Sequence, residues 1–188
     1  MHVMIDLETM GTRPNAPIIA IGAVAFDVDH DWAWRTFYAT VNLNSAVVQG
    51  KAVISPDTVM WWLRQDKAAQ GAFSATQDEA YSLEGALQAL NKWLGEVCGG
   101  TDVVDMMLDG VWGNGATFDN VILRESYLNA GIPCPWPFWK DRCYRTVRAA
   151  YPDVMTTRDG THHNALDDAR YQARHLVAIN EAAGGVFL

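Results

Sequence analysis

The first strand-like segment of the chain places two acidic side chains among apolar residues. In HVMIDLETM, residues 2–10, Asp6 and Glu8 fall on one side of a predicted β-strand, because successive strand side chains point to opposite faces. Burying unpaired carboxylates costs several kcal/mol, so a fold that encloses this strand must supply a cation or strong hydrogen-bond donors. A divalent metal ion is the simplest solution. The alternative is an edge strand whose acids point into water, the commoner fate of a single Asp-x-Glu pattern.

Length and composition favour one soluble domain. The chain has 188 residues, of which 49% are hydrophobic, and we expect a single domain over residues 1–188. No signal-peptide pattern is present, and the longest apolar stretch, residues 17–26, is shorter than the roughly 18 residues of a membrane span. Cys98, Cys134 and Cys143 are odd in number and lack C-x-x-C spacing, which argues against a disulfide framework and a zinc site. We therefore expect a cytoplasmic protein with reduced thiols.

The charge balance limits the kind of nucleic acid that this protein could hold. The formal net charge is -8 and the sequence pI is about 4.9, so a broad basic surface for gripping duplex DNA is not available. A protein that holds only a strand terminus needs few phosphate contacts, and bound divalent ions invert the local field of an acidic site. Net charge therefore limits the size of the contact and does not exclude nucleic acid.

The order of predicted elements indicates an α/β fold with a mixed sheet flanked by helices. Periodicity and turn residues predict strands over residues 2–10, 17–28, 34–43 and 110–113. Helices are predicted after the Ser55 cap and over residues 82–97, 118–129, 140–151 and 165–183. The first two strands, separated by a Gly- and Pro-containing turn, are expected to form a hairpin. Three strands followed by helices and one interposed strand are typical of the α/β class.

Two later segments contain further acids that could join the first pair. VWGNGATFDNVIL, residues 111–123, reads as a short strand, a Gly-rich turn and the start of a helix that carries Asp119 in its first turn. Asp119 alone would be explained by the helix dipole, which favours acids at this position. HHNALDDARYQA, residues 162–173, places Asp168 inside a helix, with His163 five residues earlier.

Together these motifs resemble the DEDDh family of 3'-to-5' exonucleases, whose fold is ribonuclease H-like. The shared order is Asp-x-Glu, then Asp in FDNVIL, then His-x-x-x-x-Asp. MIDLETMG, WWL and WGNG..FDN are similar to segments of small bacterial and prophage exonucleases related to the mycobacterial exoribonuclease AS. The resemblance covers residues 2–182, and three motifs in a fixed order are far more specific than any one of them.

The resemblance implies a metal-dependent catalytic centre. Asp6, Glu8, Asp119 and Asp168 would hold two divalent ions, Mg2+ or Mn2+, and His163 would be the general base. These ions prefer oxygen ligands, and a pair of them suits the in-line hydrolysis of a phosphodiester. Histidine titrates near neutral pH and can accept a proton from the attacking water.

Signals for substrate contacts are weaker. The segment that follows the first two acids is expected to meet the sugar and base of the terminal nucleotide, as in the family. Two adjacent tryptophans on a helix lie about 100° apart, so at most one can be deep in the core. The other is a candidate for base stacking, worth about 1–3 kcal/mol, although core packing is equally compatible. The candidate substrate-binding residues are Thr9, Met10, Gly11, Trp61, Trp62 and Asn114; a simple turn role is the alternative for Asn114.

Other charged residues near these motifs receive secondary roles. His162 and Asp167 are expected to lie on the surface or to support the ligands, because only the five-residue interval from His163 to Asp168 fits the family spacing, and His162 is expected to point elsewhere. Arg142, Arg145 and Arg148 recur every third residue on a predicted helix, where a solvated face is favoured over a role in guiding the 5' part of a strand.

The implied activity is a 3'-to-5' exonuclease that acts on single-stranded ends of RNA or DNA and releases nucleoside 5'-monophosphates. The alternative is a nuclease-like adaptor that binds nucleic acid without cleaving it. An inactive relative would be free to lose at least one of the four acids or His163, and this sequence keeps them all. The choice of sugar and the formation of a homodimer, which is frequent among related exoribonucleases, stay open.

Overall fold

The protein is built around one mixed β-sheet. The computed structural model describes residues 1–27, 35–74, 79–101 and 104–188. The strands are β1 His2–Thr9, β2 Ile18–Phe26, β3 Arg35–Thr40, β4 Gly110–Gly113 and β5 Asp141–Cys143. Helices in the described ranges are α1 Leu43–Gln49, α2 Pro56–Trp62, α3 Lys67–Ser74, α4 Leu83–Cys98, α5 Val104–Met107, α6 Val121–Ala130, α7 Tyr144–Ala150 and α8 Ala165–Ala182. None of these helices is long and apolar enough to cross a membrane.

Strand β1 is at the centre of the sheet, whose order is β3-β2-β1-β4-β5. It pairs antiparallel with β2, which confirms the predicted hairpin, and parallel with β4. The predicted α/β class with a mixed sheet is therefore confirmed. Strand β1 is paired along both edges, and Asp6 and Glu8 are buried, so the edge-strand alternative for the two acids is wrong.

The alternation of β1 side chains divides the protein into two helical layers. Val3, Ile5 and Leu7 belong to the larger core cluster, together with residues of α4 and α6. Met4 belongs to a second cluster with residues of α7 and α8. Because side chains two positions apart share a face, Asp6 follows Met4 toward the α8 layer.

The third strand is shorter than predicted. The prediction covered residues 34–43, of which Trp34 lies outside the described residues, and β3 ends at Thr40. The Asn42 side chain accepts a hydrogen bond from the Ser45 amide and so caps α1, a helix that the sequence pattern did not predict. Capping satisfies an orphan amide at the helix start and competes with continuation of the strand.

The predicted helix over 140–151 is divided into a strand and a helix. Residues 141–143 form β5 parallel to β4, and α7 begins only at Tyr144. Asp141 accepts hydrogen bonds from the Arg124 guanidinium at 2.7 and 2.8 Å, which ties the start of β5 to α6. Short strands of this kind depend on long-range pairing, which local periodicity does not encode.

Small residues let α8 approach the sheet closely. Ala165, Ala169 and Ala173 recur every four residues on its buried face, and each is fully buried. On the facing strand, a Cβ atom added to Gly22 would lie 2.2 Å from the carbonyl carbon of Ala165. Gly22 pairs directly with Asp6, so this contact sets the distance between α8 and the acidic part of β1.

Substituting Gly22 with alanine should therefore destabilise the fold. The added methyl would collide with backbone atoms that cannot rotate away, and we expect Gly22→Ala to lower the free energy of unfolding by about 3 kcal/mol. Urea titration of the purified variant measures this change.

Gly71→Ala in α3 is the matched control, because a Cβ there meets nothing within 4 Å. Alanine is favoured over glycine in a helix, so this variant should be neutral or more stable by up to about 1 kcal/mol. Equal stability of Gly22→Ala and the wild type would contradict the close-packing argument.

Candidate active site

Three acids from two elements converge at one place. Asp6 and Glu8 come from β1 and Asp168 from α8, and each residue is only 7% exposed. One carboxylate oxygen of each lies within 4.8 Å of one oxygen of the others. The structure thus brings together residues that are separated by 160 positions in the chain.

The start of α8 holds Asp168 in place. The Asn164 side chain caps this helix by accepting hydrogen bonds from the amides of Leu166 and Asp167. One turn after Asp168, Gln172 donates from Nε2 to Asp6 Oδ1 at 2.7 Å. Residues four apart share a helix face, so α8 both supplies an acid and orients one on β1.

Asp119 approaches the group from a different element. It lies in a π-helical turn, Ala116–Asn120, directly before α6, and Oδ1 accepts a hydrogen bond from the Leu7 amide at 3.1 Å. Strand pairing between β1 and β4 ends at Ile5 and Gly113, which leaves the Leu7 amide available. The buried Oδ2 atom of Asp119 has no hydrogen-bond partner.

Burial and mutual repulsion raise the pKa values of these acids. Burial, with the charge of Asp119 added, raises the pKa of Glu8 from 4.5 to about 8. Burial raises the pKa of Asp119 to about 7, partly offset by hydrogen bonds from the backbone of Leu7 and Asn114. The pKa of Asp6 is also well above its ordinary value, because it is buried and faces Asp119 and Glu8. Near neutral pH these acids therefore hold protons, which a bound cation would displace.

Both histidines of the third motif border the cleft. His163 adopts a left-handed backbone conformation with φ +63°, and its amide donates to Asp168 Oδ2 at 3.2 Å. The ring centres of His162 and His163 are 4.1 Å apart, and each histidine can reach Asp168. The expectation that His162 faces elsewhere is therefore wrong. Burial lowers the pKa of both imidazoles, so both are neutral near pH 7.

The two tryptophans divide as expected, with one in the core. Trp62 is 2% exposed and donates from Nε1 to the carbonyl of Thr9 at 3.0 Å, whereas Trp61 is 40% exposed. The Trp61 ring meets the His163 ring edge-on at 4.9 Å. Trp61 is thus the tryptophan with a free surface for stacking.

Thr9 at the end of β1 and Gly11 in the following loop border the cleft, but Met10 between them does not line it. The Met10 side chain is buried with Ile19, Trp62 and Ala69, and its amide and carbonyl are both hydrogen-bonded within the protein. Because side chains alternate along an extended segment, Met10 points away from the side on which Thr9 and Gly11 border the cleft. Met10 is therefore not a substrate contact through its side chain.

The acids form the floor of a cleft of about 690 Å³. Asn114 borders this cleft, as do several residues that the sequence argument assigned elsewhere or did not consider: Arg145, Arg148, Arg158, Tyr171 and Gln172. Gln172 could have been found from its spacing of four residues after Asp168. Arg142 is separate from the cleft; its guanidinium donates to the carbonyls of Trp139 and Asp141.

The Asp167 side chain is hydrogen-bonded to the loop that precedes α8. Its Oδ2 accepts a hydrogen bond from the Thr161 amide at 2.8 Å, and Arg170 lies 3.6 Å from its other oxygen. The secondary role expected for Asp167 therefore corresponds to holding the loop that carries the two histidines.

The donor set fits divalent ions that prefer oxygen. All four acids present carboxylate oxygens, and the unpaired Oδ2 of Asp119 is a buried acceptor that a cation would satisfy. No thiolate lies among the residues that border the cleft, so a zinc site of the cysteine type does not fit this part of the described chain.

Comparisons with known proteins agree with this geometry. A family model described as the Rv2179c-like 3'-5' exoribonuclease domain matches residues 1–180. No curated protein matches the chain.

Solved structures share the fold. One is the nuclease domain of 3'hExo, a DEDDh family member bound to rAMP, with a TM-score of 0.63 and 15% identity over 98% of this chain and 94% of that chain. Exonuclease I of E. coli in a zinc-bound complex with ssDNA has a TM-score of 0.65 and 14% identity over 97% of this chain. Its complex with a dT13 oligonucleotide has a TM-score of 0.64 and 13% identity over 95% of this chain. The chain spans only 41% and 40% of these two exonuclease I chains. At such identities the likeness shows the fold, which confirms the predicted ribonuclease H-like class.

Raising the pH should destabilise the metal-free protein. The folded state keeps protons on Glu8, Asp119 and Asp6 that the unfolded chain releases near pH 4, because the pKa values of the first two are about 8 and about 7. The stabilising contribution is complete below about pH 4 and is lost as the pH rises through about 7 to 8. We expect the free energy of unfolding to fall by a few kcal/mol over this window, measurable as thermal melts in EDTA.

Glu8→Gln removes one repelling charge and is the matched variant. At about pH 8 in EDTA it should melt at a higher temperature than the wild type, whereas near pH 5 the two should be similar. A Glu8→Gln protein that is less stable at the higher pH would contradict the electrostatic account.

Proposed function

Because this chain belongs to the family of Rv2179c-like 3'-5' exoribonuclease domains, we propose that it degrades single-stranded nucleic acid from the 3' end with two divalent ions and releases nucleoside 5'-monophosphates. The class of enzyme, a 3'-5' exonuclease, follows from the family. One observation carries the finer proposal. Three buried carboxylates converge within 4.8 Å, and a fourth beside them has an unpaired oxygen.

The proposed metal ligands are Asp6, Glu8, Asp119 and Asp168. Four carboxylates match the charge of two divalent ions, and Mg2+ or Mn2+ suits an all-oxygen set. When bound, such ions lower the pKa of a water molecule and stabilise charge on the leaving oxygen. Gln172 keeps Asp6 in the orientation that faces the other acids, through its 2.7 Å hydrogen bond.

His163 is the proposed general base. A base must be neutral to accept a proton, and burial lowers the pKa of His163 below its usual range. Trp61 and Trp62 pack edge-on against its ring, with centres 4.9 and 6.2 Å away. These contacts favour His163 over the more exposed His162 as the residue with a fixed orientation.

The terminal nucleotide is proposed to lie against the loop after β1. Thr9 and Gly11 border the cleft on this side, and Asn114 borders it near Asp119. The Thr9 hydroxyl donates to the Gly11 carbonyl at 2.7 Å, which keeps the loop tight beside the acids. The exposed face of Trp61 offers a stacking surface for a base, a contact that tolerates any sequence.

Assembly as a homodimer is a further proposal that rests on the resemblance alone, and a cytoplasmic location is one that rests on the sequence pattern alone. Light scattering of the purified protein distinguishes a monomer from a dimer.

Digestion of matched 5'-labelled RNA and DNA oligonucleotides tests the proposed reaction. We expect stepwise shortening from the 3' end with added Mg2+ or Mn2+, no cleavage in EDTA, and resistance of strands with a 3'-phosphate. The matched pair reports the sugar preference in the same experiment. Undiminished cleavage in EDTA, or release of internal fragments, would contradict the proposal, and metal-dependent binding without cleavage would indicate an adaptor.

Substitutions of the base and of a metal ligand should have different effects. His163→Ala should lower kcat on the order of 100-fold and leave Mn2+ binding intact, because it removes proton transfer alone. Asp168→Ala should abolish both metal binding and turnover, since it removes one of the converging ligands. Calorimetry with Mn2+ and single-turnover cleavage measure the two effects.

His162→Ala is the control for the assignment of the base. This neighbour lies 4.1 Å away but has no comparable packing against the tryptophans, so its loss should be mild. If His162→Ala were the inactive variant and His163→Ala nearly wild type, the two histidines would exchange roles.

A further inference from the structure

Arg158 reaches one of the acids from the segment between α7 and α8. Its guanidinium is bonded to Asp168 Oδ1 and lies 4.8 Å from the ring centre of Tyr171. The side chain is 32% exposed, so it forms part of the cleft wall and contacts solvent as well as the acid.

This contact neutralises one member of the acidic group. Among the described residues, Arg158 is the cationic side chain that forms an ion pair with one of the four proposed ligands. Its charge also lowers the pKa of Asp6, against the larger effects of burial and of neighbouring acids. A guanidinium has only donors, so it can occupy the carboxylate oxygen of Asp168 that a divalent ion would need.

Two further arginines border the same cleft as Arg158. Arg145 and Arg148 of α7 line it, and the charge of Arg145 lowers the pKa of Asp119. Three arginines thus lie around the four acids in a chain whose net charge is -8. One guanidinium can donate two parallel hydrogen bonds to the oxygens of one phosphate. These arginines are therefore suited to bind the backbone of a nucleic-acid strand.

We propose that Arg158 alternates between two anions: it pairs with Asp168 while the acids hold no metal, and it binds a phosphate of the substrate strand once a divalent ion occupies Asp168. This inference rests on the proposed function and adds a role for a residue outside the acid and histidine motifs. The exchange keeps a positive charge beside Asp168 in both states. It also couples strand binding to metal binding, because the guanidinium of Arg158 is released only when a metal ion binds Asp168.

Arg158→Gln should have opposite effects on the two ligands. Mn2+ alone, titrated by calorimetry without nucleic acid, should bind about threefold tighter, because a half-buried competing ion pair is gone. A 5'-labelled single-stranded oligonucleotide, measured by fluorescence anisotropy with Ca2+ and checked by gel for intact length, should bind about tenfold weaker. The slope of log affinity against log salt should fall by about 0.7.

Arg142→Gln is the control, since Arg142 lies outside the cleft and binds backbone carbonyls. It should change neither affinity. Arg158→Lys keeps the charge and should retain most of the salt slope with weaker strand binding, because an ammonium lacks the paired geometry.

Opposite changes in Mn2+ affinity and oligonucleotide affinity distinguish the exchange from structural damage, which would weaken both. Weaker binding of both Mn2+ and the oligonucleotide by Arg158→Gln would overturn the proposal, as would unchanged binding of either one. If the wild-type protein failed to shorten any strand, the proposed function would be contradicted. If the wild-type protein cleaved normally and Arg158→Gln bound both ligands as the wild type does, only the role of Arg158 would be contradicted.

Discussion

Repulsion among buried carboxylates is the constraint on which the rest of the site depends. Asp6, Glu8 and Asp119 lie beside one another at 7% exposure or less, and burial and mutual repulsion raise their pKa values because ionising them without a cation is unfavourable. Apolar residues at these positions would make the metal-free fold more stable than the acids do. The arrangement is favourable when divalent ions supply the missing charge, and a nuclease that binds such ions gains both stability and chemistry from the same contact.

The buried acids require rigid secondary structure around them, because carboxylates that repel one another would separate if they could move. The central position of β1 supplies part of this rigidity, and the close contact of Gly22 with the start of α8 supplies another part. A Cβ at Gly113 would come within 2.3 Å of the Asn120 side chain, so a second glycine allows the turn with Asp119 to approach β4. Close approaches at two glycines thus set how near the elements that carry the acids come to one another.

The charge distribution explains how an acidic protein can bind a polyanion. The net charge of -8 opposes nonspecific binding along a strand, whereas Arg145, Arg148 and Arg158 border the same cleft as the acids. Under the proposed function these arginines supply positive charge next to the acids, and a contact with few phosphates suits an enzyme that acts on strand ends.

The sequence by itself determined the class of fold and the hairpin, and it named the four acids and His163 as candidates for one site. The fold elements follow from periodicity and turn residues within short segments, and the candidate site follows from three short motifs that occur in a fixed order along the chain. Only the tertiary structure decided that β5 precedes α7, that Met10 is buried, which tryptophan is exposed, and that His162 and three arginines, Arg145, Arg148 and Arg158, border the cleft. Each of these depends on pairing or packing between segments distant in the chain, and no local pattern carries that information.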